Sequence, residues 1–122
     1  MPLIARIEQA LSRHLEHLSS PSAPSQLTQA IHHAVFPGGA RIRPQLCLAV
    51  ALACGDDTPV LTDAVSAAIE LMHCASLVHD DMPCFDDAST RRGQLAVHKA
   101  YGEPLALLSG DALIVQAFQC LL

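Results

Sequence analysis

The sequence contains few aromatic residues. It has no Trp, one Tyr and three Phe among 122 residues, although apolar residues make up 51% of the chain. Sheets favour aromatic and β-branched side chains, so a composition dominated by Ala and Leu predicts helices. We therefore expect an all-α chain, long enough for one ordinary domain with a hydrophobic core.

Basic residues are also scarce. Seven Lys and Arg face twelve Asp and Glu, which gives a formal net charge of -5. A chain with this balance offers no basic face along which a phosphodiester backbone could bind. We expect no nucleic acid among its partners.

The cysteines lack the paired spacing of a metal or redox motif. Cys47, Cys54, Cys74, Cys84 and Cys120 form an odd set without CxxC, and most lie in apolar stretches where Cys packs as a small hydrophobe. This pattern predicts a reduced, cytoplasmic chain. No signal peptide is visible and no segment is expected to reach the length needed to span a bilayer, so we expect no membrane span.

Apolar residues recur at helical spacing along most of the chain. The pattern predicts helices at residues 3–18, 25–36, 42–53 and 61–81, a short segment at 94–101, and a last helix from Glu103 onwards. The fourth of these is apolar nearly all round, which is typical of a helix at the centre of a larger bundle.

Four acids cluster at the end of the predicted fourth helix: Asp80, Asp81, Asp86 and Asp87. Carboxylates at a helix C-terminus are disfavoured by the helix dipole, and their mutual repulsion adds to the cost. A cation should therefore lie between them. Mg²⁺ suits oxygen ligands and is usually held by one or two carboxylates together with substrate phosphates.

Two basic groups accompany these acids. Arg91 and Arg92 follow the acidic segment, whereas Arg41 and Arg43 follow a Gly-Gly turn. The arginine fork matches phosphate oxygens, so two separate groups suggest two phosphorylated substrates. Taken alone, acid clusters and arginine pairs are more often solvated surface.

The order of these motifs resembles the trans-prenyl diphosphate synthases. AIELMHCASLVHDDMPCFDDASTRRG, followed by HKAYGEPLALLSGDALI, is similar to the region around that family's first aspartate-rich motif. GGARIRP is similar to its Gly-Gly-Lys-Arg-x-Arg-Pro segment. The resemblance implies that residues 1–122 are the N-terminal part of one prenyl synthase domain, the first helices of an isoprenoid synthase bundle, covering roughly two-fifths of the family length.

The resemblance also implies residue roles at an allylic site. Asp80 and Asp86, in a DDxxxxD motif supported by Asp81, would bind Mg²⁺ that bridges to an allylic diphosphate. Arg91 would clamp the same diphosphate. Ala75, five residues before the first Asp, would lie under the growing hydrocarbon tail, where a small side chain favours a C20 product over C15.

A second set of residues would hold isopentenyl diphosphate: Arg43, His73 and Arg92. Ala40 stands where the family commonly has Lys, so one phosphate contact is missing and Arg41 is a candidate substitute. Asp111, in the last predicted helix, is interpreted as a structural residue bonded to a neighbouring helix.

The implied activity is a prenyltransferase that condenses isopentenyl diphosphate with an allylic diphosphate, such as dimethylallyl, geranyl or farnesyl diphosphate, to give geranylgeranyl diphosphate. The alternatives are a farnesyl diphosphate synthase, a non-catalytic regulatory subunit and a class I terpene cyclase. A cyclase need not bind isopentenyl diphosphate, so GGARIRP with His73 and Arg92 argues against it. A zinc site at Cys74, His79 and Cys84 is disfavoured for lack of paired spacing.

No second aspartate-rich segment follows Asp111. We therefore expect this chain to be inactive alone, and to need either a missing C-terminal half or a homodimeric partner.

Overall fold

A computed structural model describes residues 2–122, apart from the side chain of Ser19. Within that range the chain forms α1 (Leu3–His14), α2 (Ser25–Val35), α3 (Ile42–Ala53), α4 (Pro59–Asp80), α5 (Val97–Tyr101), α6 (Glu103–Gln119), a short 3-10 turn (Glu16–Ser19) and two strands, β1 (Thr90–Arg91) and β2 (Gln94–Leu95). The predicted all-α fold is confirmed.

Helix α4 is the centre of the bundle, as its composition predicts. It begins with Pro59, whose fixed φ suits the first turn of a helix. Its buried positions recur at helical spacing and are mostly small, which lets neighbouring helices approach closely: Ala64, Ala67, Ala68, Leu71, Cys74, Ala75 and Val78. Helices α1, α3 and α6 all pack against it.

The expectation that no segment is long enough to cross a bilayer was wrong for α4. With 22 residues, this helix is long enough and apolar enough to cross a bilayer. However, 44% of its most apolar stretch is buried within the bundle, where α1, α2, α3 and α6 contact it. These features are those of a core helix.

The polar segment after the acids forms a small hairpin that the sequence reading missed. Strands β1 and β2 pair antiparallel, with Thr90 opposite Leu95 and Arg91 opposite Gln94. The turn between them places both Arg92 and Gly93 at positive φ, 56° and 78°. Two-residue hairpin turns of this kind need positive φ at both positions, which Gly93 adopts without a steric cost.

Two helix ends also differ from the prediction. The first helix was expected to reach Leu18 but ends at His14, and a 3-10 turn carries the chain onwards. The last helix was predicted to run on from Glu103 to the end of the chain but ends at Gln119. The predicted bounds of α2 and α3 agree with the structure to within one residue.

Candidate active site

The acidic motif lies where α4 ends and the chain folds back. Asp80 is the last residue of α4 and Asp81 caps it. The loop then returns, because the Asp86 amide donates to the Asp80 carbonyl at 2.9 Å and the Ala88 amide donates to the Asp81 carbonyl at 2.9 Å. These bonds bring the backbone of Asp86 beside the end of the helix.

The carboxylates of Asp80 and Asp86 are both exposed. In the part of the chain that the structure describes, neither joins an ion pair, whereas Asp81 does. Residues 2–122 contain no group of three or more His, Cys, Asp or Glu side chains arranged to hold a metal by themselves. Two solvated carboxylates on a shared loop fit Mg²⁺, which keeps several waters and takes its other oxygens from substrate phosphates.

Asp81 and Arg91 form a bidentate ion pair. Arg91 Nη2 donates to Asp81 Oδ1 at 2.6 Å, and Arg91 Nε donates to Asp81 Oδ2 at 3.0 Å. The Asp81 side chain is 3% exposed and that of Arg91 is 38% exposed. The bond to Asp81 is the main cause of a raised pKa at Arg91. The Asp81 carboxylate, predicted as a supporting metal ligand, is thus bonded to Arg91 and orients it.

The residues predicted to hold the second diphosphate meet in one pocket of about 210 Å³, lined by Arg43, His73, Arg92 and Gly39 among others. Arg43 Nη1 lies 3.3 Å from His73 Nε2. A Cβ on Gly39 would lie 2.9 Å from Arg92 Nε, so the arginine packs directly over the glycine backbone. Partial burial, and then the charge of Arg43, lower the pKa of His73. An anion in this pocket would relieve that repulsion.

Arg41 has a different environment. Its Nε donates to Glu8 Oε1 at 2.8 Å, its Nη1 to Glu70 Oε2 at 2.7 Å, and its Nη2 to the Val35 carbonyl at 2.9 Å. The side chain is 1% exposed. All three guanidinium nitrogens have protein partners, so the structure gives Arg41 a structural contact in place of the phosphate contact suggested for it.

An apolar groove of about 540 Å³ opens between α4 and α6. The α4 side is lined by Ile69, Met72 and Ser76 among others. Ala75, which was chosen as the chain-length position, is 1% exposed and belongs to the packed core. Of these two neighbouring small residues, Ser76 is the one that lines this groove.

The suggested zinc ligands are in dissimilar surroundings. Cys74 is buried, and burial raises the pKa of its thiol to about 11, which disfavours the thiolate that zinc requires. Cys84 is exposed in the acidic loop. His79 Nε2 lies 3.2 Å from the Leu107 carbonyl and 3.5 Å from Asp111 Oδ1, so Asp111 contacts a neighbouring helix as expected.

The family model described as Polyprenyl synthetase matches residues 24–122. The chain belongs to the polyprenyl synthetase family. Among curated members, it is 60% identical to the geranylgeranyl diphosphate synthase of Cereibacter sphaeroides over 116 residues, which is 95% of this chain and 40% of that protein. It is 55% identical to the enzyme of the same name from Rhodobacter capsulatus, over 99% of this chain and 42% of that protein. The chain thus spans about two-fifths of these relatives.

Solved structures of family members share the fold. The crystal structure of geranyltransferase from Legionella pneumophila aligns with a TM-score of 0.87 at 38% identity, covering 97% of this chain and 40% of that one. Geranyltranstransferase from Thermotoga maritima aligns with a TM-score of 0.85 at 36% identity, covering 97% and 44%. The expected helices of an isoprenoid synthase bundle are confirmed.

The sequence reading did not identify Glu8 and Glu70, the two partners of Arg41. Glu70 is 2% exposed within an otherwise apolar stretch of α4. An acid in such a position must have a partner, because a buried unpaired charge is very costly. That requirement could have identified Glu70 as one member of a buried ion pair. Glu8 lies on the polar side of α1, where nothing in the local pattern marks it.

Proposed function

We propose that the protein containing this chain is a prenyltransferase that condenses isopentenyl diphosphate with an allylic diphosphate to make geranylgeranyl diphosphate. The observation that carries the proposal is the presence of two separate anion-binding arrangements in a polyprenyl synthetase chain. One is the pocket of Arg43, His73 and Arg92. The other is the acidic loop with Arg91 at the end of α4.

At the allylic site, Asp80 and Asp86 would hold Mg²⁺. When bound, Mg²⁺ would offset the negative charge that the allylic diphosphate gains as it leaves. Arg91 is oriented by Asp81 and still 38% exposed, so it can donate to the same diphosphate while keeping its bond to the protein. Asp81 would thus contribute to diphosphate binding by holding Arg91 in place.

At the second site, Arg43, His73 and Arg92 would bind the diphosphate of isopentenyl diphosphate. They come from α3, α4 and the hairpin turn, so the pocket depends on the packing of three elements. Ala40 supplies no donor, and Arg41 is committed to Glu8 and Glu70. We therefore expect weaker binding of this substrate than the family's lysine would give.

In the proposed reaction, the allylic carbon–oxygen bond breaks and its electron pair leaves with diphosphate. The alkene of isopentenyl diphosphate forms the new carbon–carbon bond to the allylic carbon, and a proton is then lost to diphosphate. The chain's own residues bind and orient the two diphosphates, which makes the bond-forming step effectively intramolecular.

The C20 product is favoured by the surroundings of the apolar groove. Ser76 leaves it open beside Met72 and Ile69, where an aromatic ring would fill it. The relatives with 60% and 55% identity are geranylgeranyl diphosphate synthases, whereas a farnesyl diphosphate synthase from Geobacillus stearothermophilus is 43% identical over 113 residues. Farnesyl diphosphate is therefore the proposed allylic substrate.

The rest of the active site would lie in the part of the family domain that this chain does not span. Helix α3 exposes Ile42, Leu46 and Val50, and α6 exposes Val115 and Phe118. We propose that the remaining domain and a second copy of the protein cover these faces. All five cysteines are free, in keeping with the cytoplasmic location that we propose.

The experiment uses a joined protein, in which this chain is continued by the C-terminal region of the Cereibacter sphaeroides relative. Labelled isopentenyl diphosphate, farnesyl diphosphate and Mg²⁺ are supplied, and the products are separated by length. We expect C20 product from the joined protein, none from the 122-residue chain alone, and a rate at least about a hundredfold lower from joined Asp80→Ala. A folded joined protein that makes no product would refute the proposal and favour the regulatory-subunit alternative.

A further inference from the structure

A buried ion-pair cluster forms part of the wall of the pocket that contains Arg43, His73 and Arg92, because Arg41 and Glu70 also line that pocket. It consists of Arg41, which is 3% exposed, with Glu70, 2% exposed, and Glu8. Arg41 Nη1 reaches Glu70 at 2.7 Å, and Nε reaches Glu8 at 2.8 Å. The cluster therefore ties α1 and α4 to the residue that precedes α3.

The backbone of the Gly-Gly turn is shaped around Arg41. Arg41 caps α3 in a left-handed conformation, with φ 54° and ψ 39°. A Cβ on Gly38 would collide with the Arg41 guanidinium, so the turn folds against that group. Arg41 Nη2 also binds the Val35 carbonyl at 2.9 Å, which fixes the end of α2.

The position of each of the three diphosphate-binding residues depends on this cluster. Arg43 lies in the first turn of α3, which Arg41 caps. His73 lies one helical turn beyond Glu70 on α4. Arg92 packs over Gly39, beside the turn that Arg41 supports. A shift at the Arg41–Glu70 bond would therefore change the spacing between Arg43 and His73, now 3.3 Å.

We infer that Arg41, Glu70 and Glu8 are positioning residues for the site that binds the diphosphate of isopentenyl diphosphate. The inference rests on the proposed function and adds α1 to the site. Glu8 lies before residue 24, where the family match begins. The charged groups of the cluster are bonded to one another, so its role is to fix the relative placement of the three residues that would bind the diphosphate.

A second arginine cluster supplies a matched control. Arg6 Nε donates to Asp63 Oδ1 at 2.6 Å, and Arg6 Nη1 donates to Asp56 Oδ2 at 2.9 Å. This cluster also joins α1 to α4, but near the start of α4, whereas Glu70 lies close to His73. Its loss should loosen α1 without moving the pocket.

The test compares two double variants of the joined protein. In Arg41→Met/Glu70→Met both buried charges are removed together, which often leaves stability unchanged because no buried charge stays unpaired; Glu8, which loses its arginine, is 38% exposed and can be solvated. In the control, Arg6→Met/Asp63→Met, the same chemistry is removed from the other cluster. Thermal unfolding and circular dichroism establish that each protein is folded, and Arg41→Lys provides a second variant that keeps the charge but lacks the planar fork.

The readout is the affinity for isopentenyl diphosphate by calorimetric titration, together with KM for each substrate. We expect Arg41→Met/Glu70→Met to weaken isopentenyl diphosphate binding about tenfold, and to change KM for farnesyl diphosphate less than about twofold. Glu8→Gln should act in the same direction, more weakly, because Glu8 is 38% exposed. The control should change neither value.

Each other outcome has a definite meaning. A folded Arg41→Met/Glu70→Met protein with unchanged affinity would overturn the inference, as would an equal loss in the control or an equal rise in both KM values. If the unsubstituted joined protein binds isopentenyl diphosphate but makes no product, the proposed function fails and the positioning role is still decided by the titration. If it does not bind isopentenyl diphosphate, both are overturned.

Discussion

Arg41 and Arg91 have the same chemistry and opposite surroundings. Each forms charge-assisted bonds to carboxylates, but the Arg41 side chain is 1% exposed whereas that of Arg91 is 38% exposed. Arg41 bonds two carboxylates and a carbonyl; Arg91 bonds one carboxylate. A buried guanidinium whose three nitrogens are all bonded to protein groups is held away from a substrate, whereas a half-exposed one can share its donors with a phosphate.

The same contrast separates the carboxylates of α4. Glu70 is buried against Arg41 in the middle of the helix, whereas Asp80 is exposed at its end. Glu70 is therefore committed to Arg41, whereas Asp80 has no ion-pair partner among the described residues and is the one proposed to bind a cation. The position of a charged residue along one helix decides its role.

The largest expected effect concerns Asp80, at the exposed end of α4. Asp80→Ala in the joined protein removes a proposed metal ligand, and should lower the rate of C20 formation by about a hundredfold or more, since a bound cation contributes several kcal/mol to such reactions. Asp111→Asn removes another exposed acid from a neighbouring helix and should change the rate less than about threefold. Equal losses in both variants would contradict the distinction between Asp80 as a metal ligand and Asp111 as an ordinary exposed acid.

The next effect contrasts the two arginines directly. Arg41→Met leaves Glu70 buried without its cation and should lower the free energy of unfolding by about 3–5 kcal/mol. Arg91→Met should cost about 1–2 kcal/mol, because loop movement can return Asp81 to water. Urea unfolding of the two joined proteins measures the difference. A larger loss for Arg91→Met would reverse the roles assigned here.

Adjacent positions on α4 provide a smaller test. Ala75→Phe places a ring in the packed core and should destabilise the protein by about 1–3 kcal/mol. Ser76→Phe places the same ring in the groove, where it should cost little stability but shorten the product from C20 towards C15. Thermal unfolding and product chromatography measure the two effects. Shortening by Ala75→Phe alone would restore Ala75 as the chain-length residue.

The smallest effect is the pH dependence from His73. Its folded pKa lies below the ordinary value of 6.5, so the unfolded chain binds more protons there as the pH falls. This residue's contribution to stability is therefore complete above about pH 6.5 and is lost as the pH falls towards the folded pKa. His73→Gln should reduce the loss of stability between pH 7.5 and pH 5.5, measured by urea midpoints. An unchanged or steeper loss would contradict the lowered pKa that burial and then Arg43 give His73.

The sequence predicted most of the fold because helical periodicity is a local property. The bounds of α3 were read correctly from its apolar run and the Gly55 that follows it. The hairpin was missed because strands of two residues show no periodicity. The local sign of a hairpin was the turn at Arg92 and Gly93.

The site was only partly predictable, for a different reason. The convergence of Arg43, His73 and Arg92 follows from the packing of three elements, and the motif order led to the correct set of neighbours. The role of Arg41 could not be read in the same way, because its partner Glu8 lies on another helix, 33 residues away in sequence. Likewise, the choice between Ala75 and Ser76 depends on which side of α4 packs against the core.

The most direct test of these roles is a crystal structure of the joined protein with isopentenyl diphosphate bound. We predict that the diphosphate contacts Arg43, His73 and Arg92, while Arg41 keeps its bonds to Glu8 and Glu70. Density that places the diphosphate on Arg41, with Glu70 released, would contradict the central distinction between the buried arginine and the arginines proposed to bind substrate.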